Sequence, residues 1–502
     1  MIKILSAEQI RKWDLFTIKN EPISSIDLME RASEAFVQLF LTEVESSHEI
    51  DIVCGPGNNG GDGFVIARLL TEKRLKVNCH LIDFGLKLSE DCRKNYRRFL
   101  DINQVNLVKQ AKDLNLTGGV VIDAIFGSGL NRPATGLAAE VIQLINQNEG
   151  KTVSVDMPSG LFADKVNLSG KIVEADWTIT FQIPKLSFLI PETGFYVGEW
   201  SAVDIGLDSE FLKTEGTDYF IFDKSDIDHS LFDRKKFDHK GKYGRVLIVA
   251  GSLGKMGATF LSAKAALRSG AGLLTVHIPQ VGYASMQTSL PEAMVSLDSE
   301  HECVSEMGKV DEFDAIGIGP GLGTDPKTGK LLKQLFTSFN RPMAIDADAL
   351  NLIALDKELL NLIPKGSVLT PHVGEFNRLF GECEDGLERI EKVKLKAIEK
   401  QLVIVLKGAH TVIATPDGKI HFNSTGNSGM ATAGCGDVLT GIISALMARG
   451  DDASTSAKVG VCIHGWAGDL AENTVGKTAL MASDLLSALP EVFRNVENSD
   501  FI

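Results

Sequence analysis

One pattern, met twice, restricts this chain more than any other feature. A short apolar run is followed by clustered glycines and then by apolar residues at helical spacing. In the first half Ile50-Asp51-Ile52-Val53-Cys54 leads through Gly55-Pro56-Gly57-Asn58-Asn59-Gly60-Gly61-Asp62-Gly63 to a helix opening at Phe64. In the second, Arg245 to Ala250 leads through Gly251-Ser252-Leu253-Gly254-Lys255-Met256-Gly257-Ala258 to a helix over Thr259 to Arg268, which Gly270 stops. Strand, glycine loop and helix in succession offer bare N–H groups and a positive dipole end to an anion. Neither stretch is G-x-G-x-x-G or a Walker loop.

The alternation continues around both. The N-terminal half predicts helices up to about residue 45, one of them capped by Ser24 or Ser25. Strands follow at Lys76 to Ile82, Val120 to Ala124, Thr152 to Asp156, Asp176 to Phe181 and Glu199 to Ile205, with helices at Ser89 to Leu100 and Leu137 to Ile145. The C-terminal half predicts strands at Leu273 to Ile278, Phe313 to Ile318, Met343 to Leu350 (ending in acids), Ser367 to Thr370 and Leu402 to Leu406. Thr370 is the expected cap ahead of Pro371, and a hairpin turns at Asp417-Gly418. Repeated β-α-β units imply parallel sheets covered by helices, with ligands at the carboxyl ends of the strands. A chain of 502 residues has room for two such domains. The charged stretch Lys224 to Lys242 reads as a solvated connector, and domains are expected at 1–215 and 225–502.

Several classes are excluded. A net charge of −15 argues against sequence-independent nucleic-acid binding. No apolar run reaches membrane-spanning length, and the N-terminus lacks a signal-peptide core. Seven scattered cysteines without a C-x-x-C pair indicate reduced thiols and a cytoplasmic protein.

Polar groups at strand ends are the candidate chemistry. Asn59, Asp123 and Ser159 offer hard oxygens suited to an alkali or alkaline-earth cation, leaving Asp156 free to move a proton. The stretch Asn427 to Gly441 carries Gly434 and Gly436 ahead of a helix beginning near Val438, with Asp437 beside the glycines. A carboxylate is a poor phosphate ligand, so Asp437 is either a base for a hydroxyl attacking phosphorus or a helix cap. Lys407-Gly408 can approach a polyphosphate by charge and bare backbone. His372 and Glu375, three apart at a helix start, are a metal pair, a substrate-positioning pair or a cap.

Six motifs occur together: G-N-N-G-G-D-G at Gly57–Gly63, V-I-D-A-I-F-G-S-G-L at Val121–Leu130, S-V-D-M-P-S-G at Ser154–Gly160, G-P-G-L-G at Gly319–Gly323, T-P-H-V-G-E at Thr370–Glu375 and A-G-C-G-D at Ala433–Asp437. Over its whole length the chain resembles the two-domain bacterial NAD(P)H-hydrate repair enzymes, an epimerase fused to an ADP-dependent dehydratase. The resemblance implies an α/β protein with a Rossmann-like three-layer N-terminal domain and a ribokinase-like α/β C-terminal domain. The epimerase would interconvert R and S forms of NAD(P)H hydrated at ring carbon 6. The dehydratase would convert the S form, turning ADP into AMP and phosphate. K⁺ is implied on Asn59, Asp123 and Ser159. Hydrate binding is implied at Asn58, Asn59, Gly60, Gly61 and Asp62, at Gly127, Ser128, Gly129, Leu130, Asn131, Arg132 and Pro133, and at Asp156. In the second domain it is implied at Ala258, Gly321, His372 and Asp437. Nucleotide binding is implied at Lys407, Gly408, Ala409, His410, Thr411 and Gly436, with Mg²⁺ assisting. Asp437 and Asp156 would be the catalytic groups, and a homo-oligomer is expected, with no nucleic-acid or membrane partner. Cys435 stands in the A-G-C-G-D turn where related kinases often carry another small residue; no base beside it suggests a catalytic thiol. The alternative function is an alcohol kinase of ribokinase type behind a non-catalytic nucleotide-binding module.

Overall fold

Five consecutive buried residues, Ile50–Cys54, form the middle of the first sheet. Ile50, Ile52 and Cys54 pack with Phe36, Phe40 and Phe64 on one face, and Val53 packs with Val121, Val141 and Ile142 on the other. A strand buried on both faces is what a parallel sheet between helix layers requires. Asp51 interrupts that run and is fully paired: one oxygen meets His80 Nε2 at 3.1 Å, and the other accepts from Thr117 N and Oγ1, each at 2.7 Å. Without those partners, a buried carboxylate would be prohibitively costly.

The computed structural model describes residues 1–44 and 48–498. They divide into two compact units: residues 2–217 with 385–387, and residues 218–384 and 388–502 with Met1. Both are α/β. In the N-terminal unit the strand order is Val105–Val108, Val77–Ile82, Ile50–Cys54, Val120–Ala124, Thr152–Val155, Trp177–Phe181, Glu199–Val203, and every pairing is parallel. The chain leaves Ile50–Cys54 toward one edge and returns at Val120–Ala124 on its other side. That reversal opens a crevice at the carboxyl ends, where α/β proteins place ligands.

In the C-terminal unit Tyr219–Phe222, Ile420–Asn423, Val412–Ala414, Val403–Leu406, Val368–Leu369, Met343–Ile345, Ala315–Ile318, Arg245–Val249, Leu273–Ile278 and Met294–Leu297 lie in that order. Val412–Ala414 runs antiparallel to both neighbours, and the other pairings are parallel. The reversal falls between Arg245–Val249 and Ala315–Ile318, beside the Gly251 and Gly319 loops. The helices Met256–Arg268 and Cys435–Ala448 cross closely there, because Gly441 lets backbones meet: a Cβ on it would lie 2.1 Å from Ser262 O.

Several expected boundaries move, for physical reasons. The first glycine cluster is mostly helix: Asn58–Glu72 begins six residues before Phe64. Its glycines serve close approach. A Cβ on Gly60 would stand 1.8 Å from Gly55 O, and one on Gly63 would stand 2.7 Å from Cys54 Sγ. The helices expected at Thr259 and Val438 likewise begin at Met256 and Cys435. Met343 to Leu350 is not one strand; it ends at Ile345, and Ala347–Leu355 is helical. His372, not Thr370, caps the helix Val373–Phe380. The charged stretch after Lys224 is no free connector, since it holds short 3₁₀ turns and buries Ile227 and Phe232. Val105–Val108 escaped detection because two of its four residues are exposed at a sheet edge.

Gly441→Ala should destabilise the chain by about 1–3 kcal/mol through overpacking. Gly329→Ala lies inside the helix Pro326–Ser338, where a Cβ meets only Leu352 Cδ2 at 3.8 Å. That substitution should stabilise by about 0.5–1 kcal/mol. Urea unfolding of both variants checks the pair, and equal effects would contradict the packing account.

Candidate active sites

In the N-terminal unit three neighbouring strand ends converge. Asp123, the fourth residue of Val120–Ala124, is fully buried; burial raises its pKa, and hydrogen bonds from Ser159, Ser154 and Ile125 oppose the rise. Ser159 donates Oγ–H to Asp123 Oδ1 at 2.5 Å and N–H to Oδ2 at 2.7 Å, while Phe126 N–H donates to Ser159 Oγ at 2.8 Å. Asn59 donates its amide to Val155 O at 2.8 Å, which leaves Asn59 Oδ1 buried without a partner. An orphaned buried oxygen close to a desolvated carboxylate network suits a cation.

Asp156 follows Thr152–Val155 with φ of +65°, a conformation sparsely used outside glycine. The turn aims its carboxylate at three donors: Thr180 Oγ1 at 3.2 Å, Phe181 N at 3.2 Å, and the ammonium of Lys185. Lys185 is 1% exposed and also donates to Thr180 Oγ1 at 2.6 Å. A cavity of about 640 Å³ opens here, lined by Asn58, Asn59, Asp62, Gly127, Ser128, Gly129, Leu130 and Asp156 together with Asp14. Burial, with the carboxylates of Asp156 and Asp14, pushes the Asp62 pKa well up.

In the C-terminal unit a cavity of about 490 Å³ is lined by Lys255, Ala258, Gly321, Asp348, Glu375, Gly434 and Asp437, among others. Gly434 is the N-cap of the helix Cys435–Ala448 at φ of +95°, so Asp437 stands in its first turn with the capping position already filled. Burial, then the charges of Asp346 and Asp348, push the Asp437 carboxyl up to about 7 against the pull of Lys407. Lys407 Nζ sits 2.8 Å from Asp346 Oδ1 and 3.9 Å from Glu375 Oε2. Burial opposes the lysine's charge, but those carboxylates outweigh it, and its pKa is raised. Thr440 Oγ1 donates to Asp346 Oδ2 at 2.9 Å. A Cβ on Gly436 would lie 3.3 Å from Lys407 Nζ, so bare backbone passes directly by the ammonium. His464, pushed down to about 4 chiefly by burial, is neutral and donates Nε2–H to Cys435 O at 2.8 Å, holding the helix start. Burial lifts the Cys435 thiol to about 11, which makes it a poor nucleophile.

A family model described as NAD(P)H-hydrate dehydratase matches residues 246–491, and one described as YjeF-related protein N-terminus matches residues 25–187. The bifunctional NAD(P)H-hydrate repair enzyme Nnr of Moorella thermoacetica is 39% identical over 98% of this chain and 97% of its own length. That of Escherichia coli is 33% identical over 97% and 93%. The chain belongs to the family of bifunctional NAD(P)H-hydrate repair enzymes. Among solved structures, the ADP/ATP-dependent NAD(P)H-hydrate dehydratase of Bacillus subtilis, co-crystallised with ATP/Mg²⁺, is 32% identical, with coverage of 53% of this chain and 94% of that one and a TM-score of 0.47. Relatives named as repair enzymes span both halves of the chain, which favours that reading over an alcohol kinase with an inert N-terminal module.

Within this repair-enzyme framework the expected residues fall unevenly. Asn58, Asn59, Asp62, Gly127 to Leu130 and Asp156 line the first cavity; Gly60 and Gly61 pack inward, and Asn131, Arg132 and Pro133 are not on its wall. Ala258, Gly321 and Asp437 line the second, whereas His372 is not on its wall. His372 Nδ1 accepts from Gly374 N–H at 3.0 Å, and Glu375 Oε2 accepts His372 N–H at 2.9 Å, so this pair is a capping box and not a metal pair. Lys407, Gly408, Ala409, His410 and Thr411 form a tight turn, with Thr411 Oγ1 donating to Gly408 O at 3.1 Å. Sequence reasoning missed Asp14 and Lys185. Lys185 follows the end of Trp177–Phe181, a strand end that the same rule should have searched. Asp14 continues the Ile10 and Ile18 stripe of the first helix, and a carboxylate on an apolar stripe was the available signal.

Asp437 also sets a pH dependence of stability. The folded chain holds this proton up to about 7, and the reference carboxyl releases it at 3.8, so between those values the folded state binds more protons. Its contribution therefore lowers stability as pH rises through that window. Asp437→Asn should raise the thermal midpoint at about pH 8 and change it much less at about pH 4. Melting curves at both values check this; a pH-independent difference would refute it.

Proposed function

We propose that the C-terminal unit dehydrates the S form of NAD(P)H hydrate at the expense of ADP, and that the N-terminal unit interconverts the R and S forms. The observation that carries the first assignment is Asp437: a carboxyl with a pKa near neutrality, in the first turn of a helix, facing a cavity beside Lys407 and bare backbone. Hydroxide is a poor leaving group, and phosphorylation makes it a good one. Asp437 takes the proton of the ring hydroxyl, whose oxygen attacks the β-phosphorus of ADP as AMP departs. The ring nitrogen then expels phosphate while carbon 5 loses a proton, restoring the dihydropyridine. Lys407 and the N–H groups around Gly434 to Gly436 neutralise the charge that moves onto the phosphoryl oxygens. Asp346 and Glu375 are already engaged by Lys407, Thr440 and the His372 N–H, so Mg²⁺ fits as an ion carried mainly by the nucleotide phosphates.

In the N-terminal unit K⁺ fits the oxygen set of Asn59 Oδ1, Asp123, Ser159 Oγ and the Phe126 carbonyl. The unpartnered Asn59 oxygen is the supporting observation. Bound there, it would supply fixed positive charge that holds the substrate's anionic groups. Asp156, presented by its turn and held by Lys185, is the acid–base group assigned to epimerisation.

A mixed-epimer hydrate incubated with the full chain and ADP should regain the absorbance of reduced nicotinamide completely. Without ADP it should not. Asp437→Asn should slow the ADP-dependent step by about 10²–10⁴-fold, the usual span for a general base. A chain inert toward the hydrate in both conditions would overturn the reading.

A further inference from the structure

Interconverting two faces of one ring carbon calls for proton transfer on each face, and one carboxylate cannot serve both from a fixed position. The N-terminal cavity contains three carboxyls from three separate elements: Asp14, Asp62 and Asp156. Their surroundings differ. Asp156 accepts from the Lys185 ammonium and two further donors. Asp62 is buried, and burial, with the neighbouring carboxylates of Asp156 and Asp14, raises its pKa well above the ordinary carboxylate value. Asp14 differs from both. Among the described residues no hydrogen bond or ion pair engages its carboxylate. Burial first, and Asp156 second, bring it to about 7, so both of its states are populated at neutral pH.

Its helix is rigidly seated. Ser6 and Gln9 form a capping box at the start of Ala7–Asn20, and Trp13, 1% exposed, stacks on Phe211 at 5.9 Å. Trp13 Nε1 also donates to Asp208 O at 2.8 Å. The adjacent stripe, Ile10, Asp14 and Ile18, is thereby held on the cavity wall. An unpaired carboxyl on an otherwise apolar stripe does nothing for folding that an alanine would not do better.

We propose that Asp14 is the second acid–base group of epimerisation, serving one face of ring carbon 6 while Asp156 serves the other. This rests on the epimerase reading above. From the R form, protonated Asp14 gives its proton to the ring hydroxyl. The carbon–oxygen bond breaks with its electron pair leaving on water, and the nitrogen lone pair forms a carbon–nitrogen double bond. A water molecule adds to the other face, the double-bond pair returns to nitrogen, and the Asp156 carboxylate takes the added water's proton. A proton then returns from Asp156 to Asp14 through solvent. One water leaves and one enters, and nothing is oxidised or reduced.

The test uses the full chain with R-hydrated NADH, no ADP and oxygen-18 water, following S-hydrate formation by chromatography above the spontaneous rate. Wild-type protein should place the heavy oxygen in the S product. Asp14→Asn should lower the enzymatic rate by about 10²–10⁴-fold, with ADP-dependent dehydration of the S form unchanged, and Asp14→Glu should recover part of the loss. Retention of the original oxygen overturns the step, and this measurement needs no variant. An Asp14→Asn protein as fast as wild type overturns the assignment alone. Wild-type protein that leaves the R hydrate unchanged overturns the epimerase reading itself.

Discussion

A carboxyl group moved out of water at the end of a parallel sheet must be paired, protonated or left energetically exposed, and both units are built around that choice. Asp51 is paired and structural. Asp123 is desolvated and compensated by Ser159 and Ser154. Asp156 is held by a lysine that is itself buried. Asp437 is compensated only in part, because Lys407 is claimed by Asp346, and it settles near neutrality. The same desolvation that is costly for folding gives a proton carrier the affinity that chemistry near neutral pH requires.

Those carboxyls can stand where they do because backbone approaches backbone at a few bare positions. Gly60 brings the helix Asn58–Glu72 onto Gly55, and Gly441 brings Cys435–Ala448 onto Met256–Arg268. In each case a helix N-terminus is drawn to the crevice where strand order reverses. Helix dipole, unpaired N–H groups and desolvated carboxylate then share one small volume. One packing arrangement thus brings these groups together, repeated on two sheets of different length.

The two units also divide a chemical problem. A ring hydrated at random exists in two forms, and a dehydratase that binds one hand in a shaped cavity leaves the other behind. An activity that exchanges the hands removes that limit without energy input, whereas the dehydration needs a phosphoryl donor. The N-terminal cavity gathers three carboxyls, Asp14, Asp62 and Asp156, and the C-terminal one sets a carboxyl beside an ammonium and open backbone.

Periodicity was enough to determine the α/β class, most strands to within a residue, and the grouping of Asn59, Asp123, Ser159 and Asp156 at strand ends. Strands buried on both faces leave an unbroken apolar record, and the polar residue that ends one stands out. The motif resemblance supplied the candidate roles. Helix starts were misplaced at Asn58, Met256 and Cys435, because glycine's low propensity masks a helix whose glycines are there for close packing. His372 as a cap, Asp346 as the holder of Lys407, Asp14 on the cavity wall and Lys185 as the buried partner of Asp156 were decided only by tertiary structure. Each depends on which distant side chains share a desolvated space, and local sequence carries no record of that neighbourhood.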